Sequence, residues 1–130
     1  MTQAARKKRP LTLEYLIQTR SKRSGTRIHS TGRTERLRDD GAWERLTRLT
    51  PAALAELTTA VDASGYFDLP ATIAADDGPS GTDLHWTIDL DGRAHEVRAQ
   101  LGSHMHPALQ ILNDLVQRLV AEALDAAAGE

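Results

Sequence analysis

The chain has 130 residues, a formal net charge of −2 and few aromatic side chains: two Trp, two Tyr and one Phe. This length suits a single domain that buries roughly two thirds of its unfolded surface. Cys is absent, which excludes disulfides, thiolate metal sites and thiol nucleophiles. The first ten residues lack the apolar core of a signal peptide, and no stretch approaches the roughly 18 apolar residues of a membrane span. We therefore predict a cytoplasmic protein without a membrane segment.

Charge is distributed unevenly along the chain. Residues 1–48 hold 13 of the 16 Lys and Arg but 5 of the 18 acidic residues, so the first third is basic and the remainder acidic. Such a division favours either an anionic partner for the first third or a folded domain with one basic and one acidic face.

The N-terminal third predicts a basic arm and then strands. Residues 1–10 are polar, contain Arg6, Lys7, Lys8 and Arg9, and end at a proline, which is typical of a flexible arm. Residues 11–18 alternate between apolar and other side chains, as in a half-buried strand, and residues 21–26 predict the turn that closes it. Residues 26–38 and 42–49 are predicted to form a hairpin, although residues 43–49 also suit a short helix.

A first helix is predicted between Thr50, which is a good N-cap, and Gly65, which suits the left-handed residue after a helix end. Tyr66 and Phe67 follow immediately, and we expect at least one ring to pack under the helix. If the Phe67 ring is buried, its truncation to Ala should cost about 3 to 5 kcal/mol.

The C-terminal part predicts a hairpin and a long helix. Asp91-Gly92 is a strong type I′ turn signal. This turn predicts the cross-strand pairs Ile88 with His95, Trp86 with Val97, and Leu84 with Ala99. A long amphipathic helix then begins at Pro107, capped by Ser103 or His104, and residues 126–130 should fray.

Together these elements predict one α+β domain over residues 11–125. Its sheet should be small and antiparallel, with two or three N-terminal strands plus the C-terminal hairpin, and both helices should pack on one face.

No pattern predicts catalysis, a metal site or a cofactor. His104 and His106 could supply two metal ligands, but nothing fixes a third. Ser103 beside His104 lacks the surroundings of a nucleophile, and residues 76–78 lack the spaced donors of a calcium loop. Asp39 and Asp40 are better explained as turn residues than as paired catalytic carboxylates. We therefore predict a protein that is not an enzyme.

The basic third could bind nucleic acid or another anionic surface. If residues 27–33 form one strand, Arg27, His29, Thr31 and Arg33 share a face, and the arm adds further positive charge. No aromatic residues interleave with these side chains for base stacking. Binding to an anionic surface is therefore the alternative to a solvated or protein-binding face.

Three sequence features point to a known family. They are RSGT at residues 23–26, GYFDLP at residues 65–70 after the first helix, and HPALQILNDLVQRL at residues 106–119 after the DG hairpin. Together they resemble the emfourin-type bacterial proteins, which inhibit protealysin-like metallopeptidases of the thermolysin class, and related bacterial domains of the same plan.

The resemblance covers about residues 13–124. It implies an intracellular, non-enzymatic inhibitor that occupies the active-site cleft of a peptidase, with Arg23, Ser24 and Gly25 as partner-binding residues. The chain departs from the family at Thr26, where a second Gly is typical, and in its additional basic segment at residues 27–48. The oligomeric state is not predicted.

Overall fold

The computed structural model describes residues 11–75, 81–101 and 105–129. The elements occur in the following order: β1 (Thr12–Gln18), β2 (Arg23–Ile28), β3 (Arg33–Leu37), β4 (Trp43–Arg48), α1 (Pro51–Ser64), a short 3₁₀ helix (Tyr66–Asp68), β5 (Thr72–Ile73), β6 (Asp83–Leu90), β7 (Arg93–Gln100) and α2 (Pro107–Ala128). The arm predicted for residues 1–10 lies outside the described residues.

The strands form a single seven-stranded sheet in the order β4-β3-β2-β1-β6-β7-β5. Neighbouring strands are antiparallel, except that β5 runs parallel to β7. The α+β class is confirmed, but the small sheet that we predicted is too small. Within residues 11–75, four strands precede α1 instead of two or three, and β5 adds a parallel strand at the edge.

The additional N-terminal strand arises from a turn that the sequence analysis missed. Residues 26–38 do not form one strand, because the chain reverses between β2 and β3 around Gly32, whose φ is 93°. The Gly32 N–H donates to the carbonyl oxygen of His29 at 2.9 Å. A Cβ at Gly32 would lie 2.3 Å from the carbonyl oxygen of Leu49, so both the backbone conformation and the space at this position favour glycine.

One face of the sheet and both helices share a single hydrophobic core. Leu13 and Tyr15 enter it from β1, and the Tyr15 ring stacks on Trp86 of β6 with 3.9 Å between ring centroids. The helices contribute Leu57, Val61, Leu109, Leu112, Val116 and Leu119. The predicted register of the C-terminal hairpin is confirmed, including the pairs of Trp86 with Val97 and Ile88 with His95.

The helix ends follow local capping rules. The Thr50 hydroxyl oxygen accepts from the Ala53 N–H at 3.1 Å, and Gly65 has a left-handed φ of 81°, as predicted. The cap of α2 differs from the prediction, because Nδ1 of His106 accepts from the Ala108 N–H at 3.1 Å. The expected caps, Ser103 and His104, lie outside the described residues. Helix α2 extends through residue 128, which includes three residues of the predicted tail.

The two aromatic residues after α1 differ in burial. Tyr66 is fully buried, whereas Phe67 is half-buried and lies edge-on to the Tyr66 ring at 5.5 Å. The Arg93 guanidinium covers the Phe67 ring at 4.3 Å. Tyr66 is therefore the residue that anchors this helix end in the core. A cost of about 3 to 5 kcal/mol for Phe67→Ala was predicted only for a buried ring, and the Phe67 ring is half-buried.

Candidate functional site

The face of the sheet that lies opposite the helices is the candidate functional surface, which we call the open face. Residues of β1 alternate between the two faces, so Glu14, Leu16 and Gln18 lie on the open face while Leu13 and Tyr15 enter the core. The open-face residues of β1 have these cross-strand neighbours: Arg27 and Thr87 beside Glu14, Gly25 and His85 beside Leu16, and Arg23 and Asp83 beside Gln18.

An apolar patch lies on the open face and consists of Leu16, Leu37 and Trp43. A Cβ on Gly25 would lie 2.6 Å from Leu16 Cδ2 and 3.2 Å from the Trp43 ring, so the absence of a side chain at Gly25 lets both close over the strand. Leu37 is buried opposite Trp43 and is separate from the main core cluster. The Arg27 guanidinium lies 4.0 Å from the centroid of the half-buried Trp43 ring.

The patch was missed by sequence reasoning, because a rare aromatic residue is expected to anchor the main core. The hairpin around residues 39–41 was predicted and is confirmed, with β3 and β4 on either side. The feature that the sequence did not predict is a β-bulge, where the pairing of β3 with β4 shifts between Thr34 and Glu35. A bulge changes which side chains share a face, so Trp43 lies on the open face opposite Leu37 while Leu49 of the same segment enters the main core.

A buried carboxylate organises the charges beside the patch. The Glu35 side chain is only 10% exposed, and its carboxylate lies 2.7 Å from His29 Nε2, 3.1 Å from Arg33 and 3.9 Å from Arg27. The hydrogen bond from His29 lowers the pKa of Glu35 most, and the positive charges of Arg33, His29 and Arg27 add to this against the effect of burial. Arg27 also pairs with Glu14 at 2.9 Å.

This arrangement changes the interpretation of the predicted basic face. Arg27 and Arg33 lie on adjacent strands, and His29 and Thr31 lie at the turn between them, so the four residues do not share one strand. Arg27 and Arg33 both contact Glu35, which neutralises much of their charge. The other predicted anion-binding residues, Arg6, Lys7, Lys8 and Arg9, lie outside the described residues.

The three predicted partner-binding residues begin β2 instead of forming a turn. Arg23 and Gly25 lie on the open face, opposite Gln18 and Leu16. Ser24 lies opposite Ile17, which packs against the main core. The strand geometry therefore separates Ser24 from the other two, and only Arg23 presents an exposed side chain on the open face.

A pocket of about 550 Å³ lies on the open face beside the apolar patch, and we call it the arginine pocket. Its lining includes Leu16, Gln18, Arg23, Asp83, Arg98 and Gln100. At its rim, His85 Nε2 lies 2.6 Å from the Glu96 carboxylate. The hydrogen bond and the charge of His85 lower the pKa of Glu96, with a smaller effect from Arg98.

Neither Arg23 nor Arg98 forms an ion pair with any described residue. Within the same described ranges, no three His, Asp or Glu side chains are grouped as metal ligands. His104, which was considered as a metal ligand, lies outside them.

No family model matches this chain, and no curated protein is similar enough to count as a match. Neither helix in the described part of the chain is long and apolar enough to cross a membrane. The fold and the surface define an α+β domain with one face of its sheet under two helices and an open face that combines an apolar patch with an arginine-lined pocket.

Proposed function

We propose that the chain is a non-enzymatic protein-binding domain and that the open face is its contact surface. The observation that carries this proposal is the half-buried Trp43 ring with Arg27 stacked on it, on the side of the sheet opposite the main core. Trp and Arg are the side chains most enriched among interface hot spots, where they act together with a surrounding polar rim. The charged groups around Glu35 would form such a rim.

The sheet suits this role because its binding residues are held in place before a partner arrives. Leu16 and Trp43 pack over Gly25, and β1 is paired on both sides along its length. A surface that is already ordered loses little conformational entropy on association, which favours affinity.

The specific partner that we propose is a metallopeptidase of the thermolysin class. The support for this partner is the resemblance of residues 23–26, 65–70 and 106–119 to the emfourin-type inhibitors. Arg23 and Gly25, which the resemblance implies in binding, both lie on the open face. A cytoplasmic location, where such an inhibitor would meet its peptidase before export, remains part of the proposal.

The test is inhibition of purified thermolysin-class peptidases by the full chain, measured by hydrolysis of a fluorogenic peptide at low and at moderate salt. We expect stoichiometric inhibition that survives moderate salt. Trp43→Ala should weaken inhibition at least about tenfold, which corresponds to about 1.4 kcal/mol. Ile111→Ala is the control, since Ile111 is an exposed apolar residue on α2.

Thermal unfolding of both variants would show that they remain folded, and Arg27→Ala provides a second, smaller change at the same patch. No inhibition across several peptidases of this class would reject the peptidase as partner. Equal effects of Trp43→Ala and Ile111→Ala would reject the open face as the contact surface.

A second candidate function is binding to nucleic acid or another anionic surface. It is favoured by Arg48, which is exposed, lies directly opposite Arg33 across the β3–β4 ladder, and has no ion pair among the described residues. Glu35 already provides a carboxylate for Arg33, whereas Arg48 has no carboxylate partner among the described residues. A phosphate backbone would supply an anionic partner for Arg48.

This candidate predicts binding to a labelled oligonucleotide that falls steeply with salt. Deletion of residues 1–10 and the Arg48→Ala substitution test separately whether the arm or the β3–β4 surface is responsible. Binding that changes little with salt, or that neither change weakens, would contradict this candidate.

A further inference from the structure

We infer that the arginine pocket receives an acidic side chain from an extended segment of the protein partner, next to an apolar side chain of the same segment on the apolar patch. This inference rests on the proposed function and adds the chemistry of the partner. It concerns Arg23 and Arg98 on opposite sides of the pocket, and Leu16 where the pocket and the patch meet.

The charge of the pocket favours an anion. Arg23 and Arg98 are both exposed, and among the described residues the only acidic side chain in the pocket lining is Asp83. The nearby Glu96 carboxylate is already bonded to His85 at 2.6 Å. The part of the pocket that the structure describes therefore has an excess of positive charge.

Arg23 and Arg98 differ from several other arginines of the fold in having no carboxylate partner among the described residues. Arg27, Arg33 and Arg36 each reach a carboxylate within the sheet, and Arg93 and Arg118 pair with Asp62 and Glu56 of α1. Arg23 and Arg98 have no such partner among the described residues. A guanidinium group binds a carboxylate through two parallel hydrogen bonds, so an incoming Asp or Glu side chain complements each of them.

The shape of the surface favours a protein segment over a free small acid. The pocket is continuous with the apolar patch, because Leu16 contributes to its lining and also packs over Gly25 beside Trp43. Its volume of about 550 Å³ exceeds what a lone carboxylate fills. A segment that places an apolar side chain on the patch can therefore place an acidic one in the pocket.

Polar side chains in the pocket suit the backbone of such a segment. Gln18 and Gln100 are both exposed and belong to the same row of paired strands as Asp83. Amide side chains can donate to and accept from a peptide backbone at once, whereas a phosphate backbone presents only acceptors. This difference favours a peptide as the occupant.

The experiment uses the full chain and fluorescein-labelled peptides that carry one leucine and one glutamate joined by glycine spacers of different length. Fluorescence anisotropy should show binding that depends on spacer length. Replacement of the glutamate by glutamine should weaken it about tenfold or more. Arg23→Gln and Arg98→Gln should each weaken binding of the glutamate peptide by a similar factor and have little effect on the glutamine peptide.

Arg118→Gln is the control for charge, because Arg118 is an exposed arginine on α2, on the other side of the sheet from the open face. If Arg118→Gln weakens binding as much as the pocket variants, general attraction is responsible and the inference is wrong. It is also wrong if glutarate competes as well as the peptide, which indicates a small-acid site, or if an oligonucleotide competes better than the peptide.

The inhibition assay and the peptide-binding assay together distinguish a failure of this inference from a failure of the proposed function. If a peptidase is inhibited and Trp43→Ala weakens inhibition while Arg23→Gln and Arg98→Gln do not, the open face is the contact surface and the acidic-segment inference fails. If no peptidase is inhibited but the glutamate peptide binds in the way described, the inference holds and the proposed partner is wrong.

Discussion

The hydroxyl group of Tyr66 donates a hydrogen bond to the carbonyl oxygen of His95 at 2.6 Å, and this bond fixes the end of α1 to β7. The His95 ring in turn lies 2.7 Å from the carbonyl oxygen of Leu69. Because a carbonyl oxygen can only accept, Nε2 of His95 must carry a proton. Burial raises the pKa of Tyr66 well above its usual range, so the hydroxyl is a donor at neutral pH.

The first prediction concerns this anchor. Tyr66→Phe should lower the free energy of unfolding by about 1 to 3 kcal/mol, because the carbonyl oxygen of His95 loses its donor. Tyr66→Ala should cost about 3 to 5 kcal/mol, since it also leaves a cavity. Phe67→Ala should cost less than Tyr66→Ala, because the Phe67 ring is half-buried. Urea unfolding measures all three, and a larger effect at Phe67 would contradict this assignment of the anchor.

The second prediction concerns the space above Gly25. Gly25→Val should lower the free energy of unfolding by about 1 to 3 kcal/mol, because its side chain would displace Leu16 and the Trp43 ring. Gly25→Val should also weaken partner binding, since Leu16 and Trp43 belong to the apolar patch. Ser24→Ala is the matched control on the same strand and the opposite face. The packing account fails if Gly25→Val is as stable as the wild type.

The third prediction concerns the pH dependence of stability at Glu35. The hydrogen bond from His29 and the charges of Arg33 and Arg27 lower the pKa of Glu35 in the folded state. Its contribution to stability is therefore fully present above the unfolded carboxyl pKa of about 4.3 and is lost as pH falls through the lower folded value. Urea unfolding of the wild type and Glu35→Gln from neutral to acidic pH should show the difference between them shrinking in acid.

A second measurement isolates the cause of that shift. In His29→Ala, the hydrogen bond that lowers the pKa of Glu35 most is absent, so the Glu35 carboxyl should titrate at a higher pH than in the wild type. NMR of the side-chain carboxyl carbon reports this directly. An unchanged Glu35 titration in His29→Ala would show that the hydrogen bond is not the main cause.

The fourth prediction concerns the start of α1. Thr50→Ala removes the side-chain oxygen that accepts from the Ala53 N–H and should cost about 1 kcal/mol of unfolding free energy. Thr59→Ala makes the same chemical change at an exposed position inside α1, where Ala has the higher helix propensity, so it should be neutral or slightly stabilising. Similar effects in the two variants would mean that Thr50 does not act as a cap.

Local signals in the sequence were sufficient for the β6–β7 hairpin and for the start of α1. The register of β6 and β7 follows from the Asp91-Gly92 turn, and the start of α1 follows from Thr50 and Pro51, because these features depend on short-range chemistry. The count of N-terminal strands was wrong, because the turn at Gly32 was missed; the need for glycine there comes partly from the close approach of Leu49, which is distant in the sequence.

The candidate site was less predictable than the fold. Arg23 was singled out and does lie on the open face, but Ser24 beside it faces the other way, since successive residues of a strand alternate. The apolar patch depends on a bulge that moves Trp43 to the open face, and the pairing of Arg23 and Arg98 around one pocket depends on strand order. Strand order is a long-range property that residue spacing within single elements does not determine.

The position of β1 has a consequence for synthesis on the ribosome. β1 lies between β2, which follows it directly, and β6, which is made much later. Until Asp83–Leu90 emerges from the ribosome, β1 can pair with β2 on one side only. Its other edge is then open, and β6 and α2 do not yet cover Leu13 and Tyr15. Such an edge is prone to pair with other chains. We expect a chain truncated after residue 75 to aggregate when expressed, while co-expression of residues 76–130 should restore it to the soluble fraction.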